Sequence, residues 1–296
     1  MSNKSTDGQN PALSAEQFKT QQRQMWNNVA AGWQAWWPTF EQGAQKVSDR
    51  LVELAEIGQG DKVLDIATGI GEPAVTAAKK VSPDGSVVAA DISSQMISIA
   101  KSRAKSLGLD SIIEFRESDA ESLDFLPKSS FDAVLSRWGL MFLPNLASAL
   151  TAIRDLLVPG GRFAAAVWPA PSKVPVLDLA FSNIRKQINA PAPQPGTPGP
   201  FALADSESLK VFFKQAGFED IRIQALDITF TFDSAASFTR FHQQVSAPLQ
   251  AMLANHNEET KHRAWDSVTD AASRYADSHG RVSIDNEVIC AVATKP

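Results

Sequence analysis

Residues Val63-Leu64-Asp65-Ile66-Ala67-Thr68-Gly69-Ile70-Gly71-Glu72-Pro73-Ala74 constrain the fold of this chain more than any other stretch. An apolar run (Val63, Leu64, Ile66) ends at an acid and then breaks into two glycines one residue apart. A proline follows, at a position suited to the first turn of a helix. The order is buried strand, tight loop, helix. Gly69 and Gly71 let the backbone turn sharply and approach a ligand closely, because no Cβ stands in the way. Asp65 falls at the carboxyl end of the strand, the end at which open α/β sheets bind their ligands.

From Asp61 onward, strand and helix patterns alternate. Strands are expected at 62–66, 86–90, 112–116, 131–136 and 162–168, and helices at 73–80, 94–107 and 145–157, with a short helix near 121–126. Gly85, Gly108 and Pro159-Gly160-Gly161 mark breaks. Such alternation predicts a parallel sheet covered by helices on both faces. Before this core, Ser14 and Gln17 form a capping-box pattern for a helix carrying Phe18, Met25, Trp26 and Val29. Thr39 and Gln42 repeat that pattern before a second helix with Val47, Leu51, Leu54 and Ala55 on one face, stopped at Gly58.

After the core, residues 169–204 are rich in proline and are expected to form a loop or linker. A helix at 205–216 and a strand at 219–230 resume the core. Residues 233–280 are expected to be helical, with Trp265, Val268, Ala272 and Tyr275 along one face, and 282–293 to form a final strand. The domain plan is therefore a loose tail at 1–13, a helical cap at 14–58 and a ligand-binding domain at 59–296, with the proline-rich segment and the helical insert within it. The N-terminal helices and the insert are the pieces placed to cover a site.

Composition narrows the function. A net charge of −5 without a basic block argues against nucleic acid as a partner. No uninterrupted apolar run is long enough to cross a bilayer. Residues 1–13 lack the apolar core of an export signal, which points to a cytoplasmic enzyme. The single cysteine, Cys290, rules out an internal disulfide and a cysteine-based metal cluster, and it sits in an apolar run that favours a buried structural thiol. The sequence leaves the oligomeric state open.

The glycine loop formally fits the dinucleotide pattern G-x-G-x-x-G/A, with Asp91 after the second strand. A nicotinamide oxidoreductase is therefore one reading. Three features favour S-adenosylmethionine instead. Asp65, four residues before the first glycine, can accept from the ammonium of a methionine moiety but would repel a pyrophosphate. Asp119-Ala120 follows the third strand, where an aspartate can accept from an adenine amino group. Ser136-Arg137-Trp138 follows the fourth, beside the reacting end of such a ligand.

On these motifs, with Ala90–Ser93 through Met96, Phe131–Pro144 and Leu156–Trp168, the chain resembles the class I S-adenosylmethionine-dependent methyltransferases, in particular the ubiquinone/menaquinone C-methyltransferase-like branch. The resemblance implies a Rossmann-like α/β fold with a seven-stranded, mostly parallel sheet whose last strand inserts antiparallel next to the sixth. It also implies roles. Asp65, Ala67, Gly69 and Gly71 would line the methionine and ribose, and Asp91 would grip the ribose hydroxyls. Ile92 and Met96 would pack on the adenine, Asp119 would read its amino group, Ala120 would offer a backbone N–H, and Ser136 would face the methionine end. The motifs say little about the acceptor; apolar and aromatic residues in the cover segments favour a small, partly hydrophobic one, methylated at oxygen or carbon. A protein that binds the cofactor without catalysis is the alternative within the same fold. The long insert at 233–280 and the proline-rich segment depart from the quinone enzymes.

Three further features carry two readings each. Trp26, Trp33, Trp36 and Trp37, four of the seven tryptophans, fall before residue 38 and either anchor the N-terminal helices or form a lid over the ligand. Arg137 and Trp138 are either active-site groups or packing residues. His242, which follows Phe238 and Phe241, is either a general base or a packed histidine; none of the four histidines lies in a metal-binding spacing.

Overall fold

A computed structural model describes residues 14–194 and 196–296. The expected tail at 1–13 lies outside them. Seven strands form one sheet: β1 (Lys62–Ile66), β2 (Ser86–Asp91), β3 (Ile113–Glu117), β4 (Phe131–Arg137), β5 (Leu157–Val167), β6 (Glu219–Phe232) and β7 (Val282–Thr294). Their order is β3-β2-β1-β4-β5-β7-β6. The first five run parallel, while β7 lies antiparallel between β5 and β6. The expected insertion of the last strand next to the sixth is therefore met. The central β1 buries Val63, Leu64 and Ile66, and each such side chain contributes about 1.5–3 kcal/mol through loss of water contact.

The helices are α1 (Ala15–Ala35), α2 (Trp37–Leu54), α3 (Ala74–Val81), α4 (Ser94–Ser106), α5 (Leu146–Leu156), α6 (Pro175–Gln187), α7 (Ser206–Gln215), α8 (Ala235–Val245), α9 (Ala247–Leu253) and α10 (Glu258–Ala272). Among the described residues, no helix is long and apolar enough to cross a membrane. At α1, Ser14 and Gln17 form the expected capping box in both directions. The pattern at Thr39 and Gln42 does not act as a cap. Helix α2 begins at Trp37, two residues earlier, with Pro38 in its first turn, where no N–H is needed, and Thr39 lies inside it. It ends at Leu54 rather than Gly58, because Glu56 takes a left-handed backbone (φ 52°).

Other boundaries shift for identifiable reasons. The proline-rich stretch is not all loop. Pro175 starts α6, whose Val176, Ala180, Phe181 and Ile184 recur at helical spacing and are buried. Proline reads as a breaker until its first-turn position is recognised. The Pro159-Gly160-Gly161 break lies within β5, as an irregularity in its pairing with β4, so the strand begins at Leu157. Residues 121–126 form turns, not a helix. The 233–280 insert is three helices and a short 3-10 turn. Val268 and Ala272 are buried and Trp265 half-buried, but Tyr275 falls in the turn and is exposed. Cys290 is buried in β7, and burial pushes its thiol up to about 12, so it is a packing residue.

Candidate functional site

The strand-to-helix loop after β1 has the conformation its glycines allow. Gly69 (φ 55°) and Gly71 (φ 102°) are left-handed, and so is Ala67 (φ 56°) between strand and loop. A Cβ placed on Gly69 would meet nothing within 4 Å. That empty space is the room a ligand needs over the loop. Gly71 instead faces Ala100 and Arg103 on α4, on the inner side of the loop.

A cleft lies over the carboxyl ends of β1, β2 and β4. Its wall includes Ala67, Gly69, Asp91, Ile92, Met96, Asp119, Ala120, Arg137 and Trp138. Asp65, Gly71 and Ser136 are not on that wall. Asp65 is wholly buried under the loop, where Oδ2 accepts from the Thr68 hydroxyl (2.5 Å) and the Ala74 N–H (3.0 Å). Oδ1 has no partner. Burial lifts this carboxyl to about 7, against the pull of the Thr68 and Ala74 hydrogen bonds and of the nearby Arg137. Ser136 is likewise buried, with its hydroxyl unpartnered. The three carboxylates expected to share one rim therefore divide. Asp91 and Asp119 face the cleft, and Asp65 ties the loop to the start of α3 from below. The hydrogen bonds from Thr68 and Ala74 hold Asp65 below the loop, whose entry at Ala67 is left-handed.

Asp91 braces the loop from the neighbouring strand. Oδ2 accepts from the Gly69 N–H at 2.8 Å, and Oδ1 from the Ser93 N–H at 2.9 Å. Burial raises its pKa to about 6, opposed by those two hydrogen bonds. Each oxygen keeps a lone pair for a further donor. Asp119 accepts from the Glu121 N–H and is paired with Lys19 at 2.7 Å.

Lys19 comes from α1, and sequence reasoning did not single it out. It bridges Asp119 and Glu121 (2.9 Å), while Glu121 also holds the N–H of Asn145 at 2.6 Å. Burial works against the Lys19 charge, but the bonds to Asp119 and Glu121 outweigh it and hold the ammonium's pKa above its ordinary value. The signal in the sequence was the stripe Phe18, Gln22, Trp26, Val29, Trp33. Its helical spacing includes a polar Gln22, which accepts from the Trp26 indole at 2.9 Å. Phe18, Lys19, Gln22, Trp26 and Trp33 all line the cleft, so α1 lies over it.

Beneath the loop sits a buried charged group that the sequence did not announce. Glu72 accepts from Thr76 and faces Arg103 at 3.6 Å. Arg103 donates to the Ile70 carbonyl at 2.9 Å and stacks over Trp37 at 3.4 Å from the ring centre. Arg137 is buried and donates to the Ser48 hydroxyl (2.9 Å) and the Ala44 carbonyl, so it joins β4 to α2. Burial lowers the pKa of both arginines, against the pull of Glu72.

The tryptophans divide between the two readings. Trp26 and Trp33 line the cleft, whereas Trp36 and Trp37 serve packing, Trp36 by donating to Gln244 at 2.6 Å. Trp26, Trp33, Trp138 and Phe142 also line a second chamber, with Phe40, Trp168, Phe181, Phe230, Phe241 and His242 among its further walls. This chamber holds about 690 Å³ of empty space, counting its open mouth. The four shared aromatic side chains thus border both spaces. Trp138 has a left-handed backbone (φ 62°) and stacks on Trp168 at 4.4 Å. His242 belongs to this chamber and not to the cleft.

The cleft fits an adenosine-type ligand with an amino-acid tail. It offers open space over Gly69, spare lone pairs on Asp91 and an orphaned Asp65 oxygen below the loop. Comparison with known proteins agrees. Residues 63–161 match the family model described as a methyltransferase domain. The ubiquinone/menaquinone biosynthesis C-methyltransferase UbiE of Pseudomonas fluorescens is 34% identical over 140 residues, which are 47% of this chain and 54% of the relative. The same protein of Pseudomonas putida matches equally. The chain thus spans about half the length of these curated relatives. Among solved structures, the [4+2]-cyclase SpnF is similar with a TM-score of 0.60 at 21% identity, covering 97% of this chain and 98% of that one. Phosphoethanolamine N-methyltransferase 2 of Haemonchus contortus, in complex with S-adenosyl-L-methionine, is similar with a TM-score of 0.60 at 19% identity, covering 97% of this chain and 61% of that one. These two likenesses concern the fold. Residues 63–161 are thus similar to a methyltransferase domain, and over about half their length the UbiE C-methyltransferases are what this chain resembles.

Proposed function

We propose that the protein transfers a methyl group from S-adenosylmethionine to a small, largely apolar acceptor, at oxygen or carbon. One observation carries this reading. A cleft walled by Asp91 and Asp119 adjoins, across Trp26, Trp33, Trp138 and Phe142, a chamber lined, among the described residues, by no Asp, Glu, Lys or Arg. A polar donor and an apolar acceptor would meet at that aromatic border. When bound, the cofactor supplies a methyl group already activated by its sulfonium.

The chain's own task is then to place and to shield. Asp91 would accept from two ribose hydroxyls while it holds Gly69 in place. Ile92 and Met96 offer apolar faces for the adenine, and Ala120 contributes the wall beside Asp119. The Asp119 carboxylate would accept from the adenine amino group beside its pair with Lys19. Asp65 would balance the amino-acid ammonium from beneath the loop. The four aromatic side chains exclude water and present ring faces that favour a nearby cation. Holding two reactants in line at near-attack distance is worth about 7–11 kcal/mol.

Calorimetric titration with S-adenosylhomocysteine and with NAD tests the donor half. Binding of the first without the second is expected, and the reverse would replace the reading with a nicotinamide oxidoreductase. Transfer of isotope from methyl-labelled cofactor into a panel of neutral phenols and enols tests the acceptor half. Tight cofactor binding without transfer to any of them would favour a cofactor-binding protein that does not catalyse.

A further inference from the structure

His242 is one of the few side chains of the second chamber with polar atoms, beside Ser246 and the indoles of Trp138 and the other tryptophans. It is fully buried on α8, between Phe238 (ring centres 4.6 Å apart) and Phe241 (5.1 Å), and lines the chamber wall. Neither ring nitrogen has a hydrogen-bond partner. Burial pushes its pKa down to about 4, against the pull of the Val176 backbone. The imidazole is therefore neutral, with one donor and one acceptor nitrogen. A buried polar group left without a partner costs about 1–3 kcal/mol, so such a group in a binding chamber signals a partner that arrives with the ligand. The Trp138 indole N–H, on the same wall, is also buried and unpartnered.

We propose that His242 selects the acceptor, by hydrogen bonding to the hydroxyl of an uncharged ring compound held among the aromatic walls of this chamber. A hydroxyl fits a neutral imidazole because each can both donate and accept. A carboxylate or phosphate does not fit, because the described residues of the chamber wall include no cation to offset its burial. His242 here is a specificity-determining group, not a proton acceptor in the transfer step. It lies in the C-terminal insert, outside the matched residues 63–161, where acceptor choice is free to vary independently of cofactor binding. The inference rests on the methyltransferase reading only in naming the bound ring compound the acceptor.

The test compares three probes of like shape: 4-ethylphenol, 4-ethyltoluene and 4-ethylbenzoate, titrated by ligand-detected NMR against the full chain with S-adenosylhomocysteine present. The phenol is expected to bind at least ~5-fold more tightly than the toluene analogue, the size of one net hydrogen bond, and the benzoate most weakly. In H242L the phenol should lose its advantage while the toluene analogue keeps its affinity within about twofold. Equal binding of phenol and toluene analogue by the natural chain, preference surviving in H242L, or the benzoate binding best would each overturn the proposal. Should H242L fail to fold, histidine-labelled natural protein provides a second measurement. 4-Ethylphenol should move the ¹⁵N signal of one buried imidazole nitrogen and 4-ethyltoluene should not; an unmoved signal refutes the proposal. Failure of S-adenosylhomocysteine to bind would sink the methyltransferase reading instead, and repeating the probe titrations without it keeps the two failures apart.

Discussion

Gly32 sits at a tight crossing of two helices. It lies on α1 where that helix crosses α8, and a Cβ there would stand 2.0 Å from the Gln244 carbonyl oxygen and 2.6 Å from its carbon. Both are rigid backbone atoms. To reach the ~3.5 Å of an ordinary contact the two helices would have to separate by about 1.5 Å. Two hydrogen bonds span the same crossing, from the Trp33 indole to the Val245 carbonyl (3.0 Å) and from the Trp36 indole to Gln244 (2.6 Å). Overpacking of this kind costs about 1–3 kcal/mol, and each strained hydrogen bond adds up to about 1 kcal/mol. Gly32→Ala is therefore expected to destabilise the protein by about 2 kcal/mol in urea unfolding. Because Trp26 and Trp33 line the cleft, the same shift should weaken S-adenosylhomocysteine binding severalfold. Gly199→Ala is the control, since a Cβ there meets open space, and its effect should stay within about 0.5 kcal/mol. A Gly32→Ala protein as stable as the control, with unaltered cofactor affinity, would show that α1 does not pack against α8 in this way.

Two more perturbations address the cleft. Asp91→Asn leaves one acceptor oxygen where the Gly69 and Ser93 N–H groups need two, so S-adenosylhomocysteine affinity should fall at least ~10-fold, equivalent to about 1.4 kcal/mol; unchanged affinity would remove Asp91 from the site. Asp91 and Asp65 titrate near 6 and 7 in the ligand-free protein, and ribose hydroxyls and an ammonium favour the ionised forms. Cofactor affinity should therefore rise as pH climbs from 5.5 to about 7.5, with proton release seen as a dependence of binding heat on buffer ionisation enthalpy. The stability of the free protein runs the opposite way. The native state keeps protons on these carboxyls that the unfolded chain gives up near pH 4, so their contribution is full below that pH and is lost as pH rises through 6 and 7. Asp65→Asn should flatten the upper part of that slope.

The division between legible and hidden features follows the range of the interactions. Strand β1, its glycine loop and the start of α3 are visible in twelve consecutive residues, because an apolar run, left-handed glycines and a proline at the helix boundary act within a few bonds of one another; Pro73 occupies the N-cap position of α3 rather than its first turn. The Ser14–Gln17 cap is local in the same way and reads correctly, whereas the Thr39–Gln42 pattern is overruled because Trp37 and Pro38 had already begun the helix. Helix α6 was hidden because prolines around it dominate composition while its own pattern of Val176, Ala180, Phe181 and Ile184 is short.

What the amino-acid order determined by itself was the alternating α/β core, the strand-end loop with Asp91 behind it, and the class of ligand such a loop receives. Only the tertiary structure decided which acids face the cleft. Asp65 turns under the loop, while Asp119 meets Lys19 from a helix a hundred positions away. It alone brought α1 over the cleft, set four aromatic side chains on the walls of both spaces and left the His242 ring nitrogens without a hydrogen bond. Those outcomes depend on how distant helices pack against the sheet, and packing is a property of surfaces brought together by the whole chain, which no short window of sequence contains.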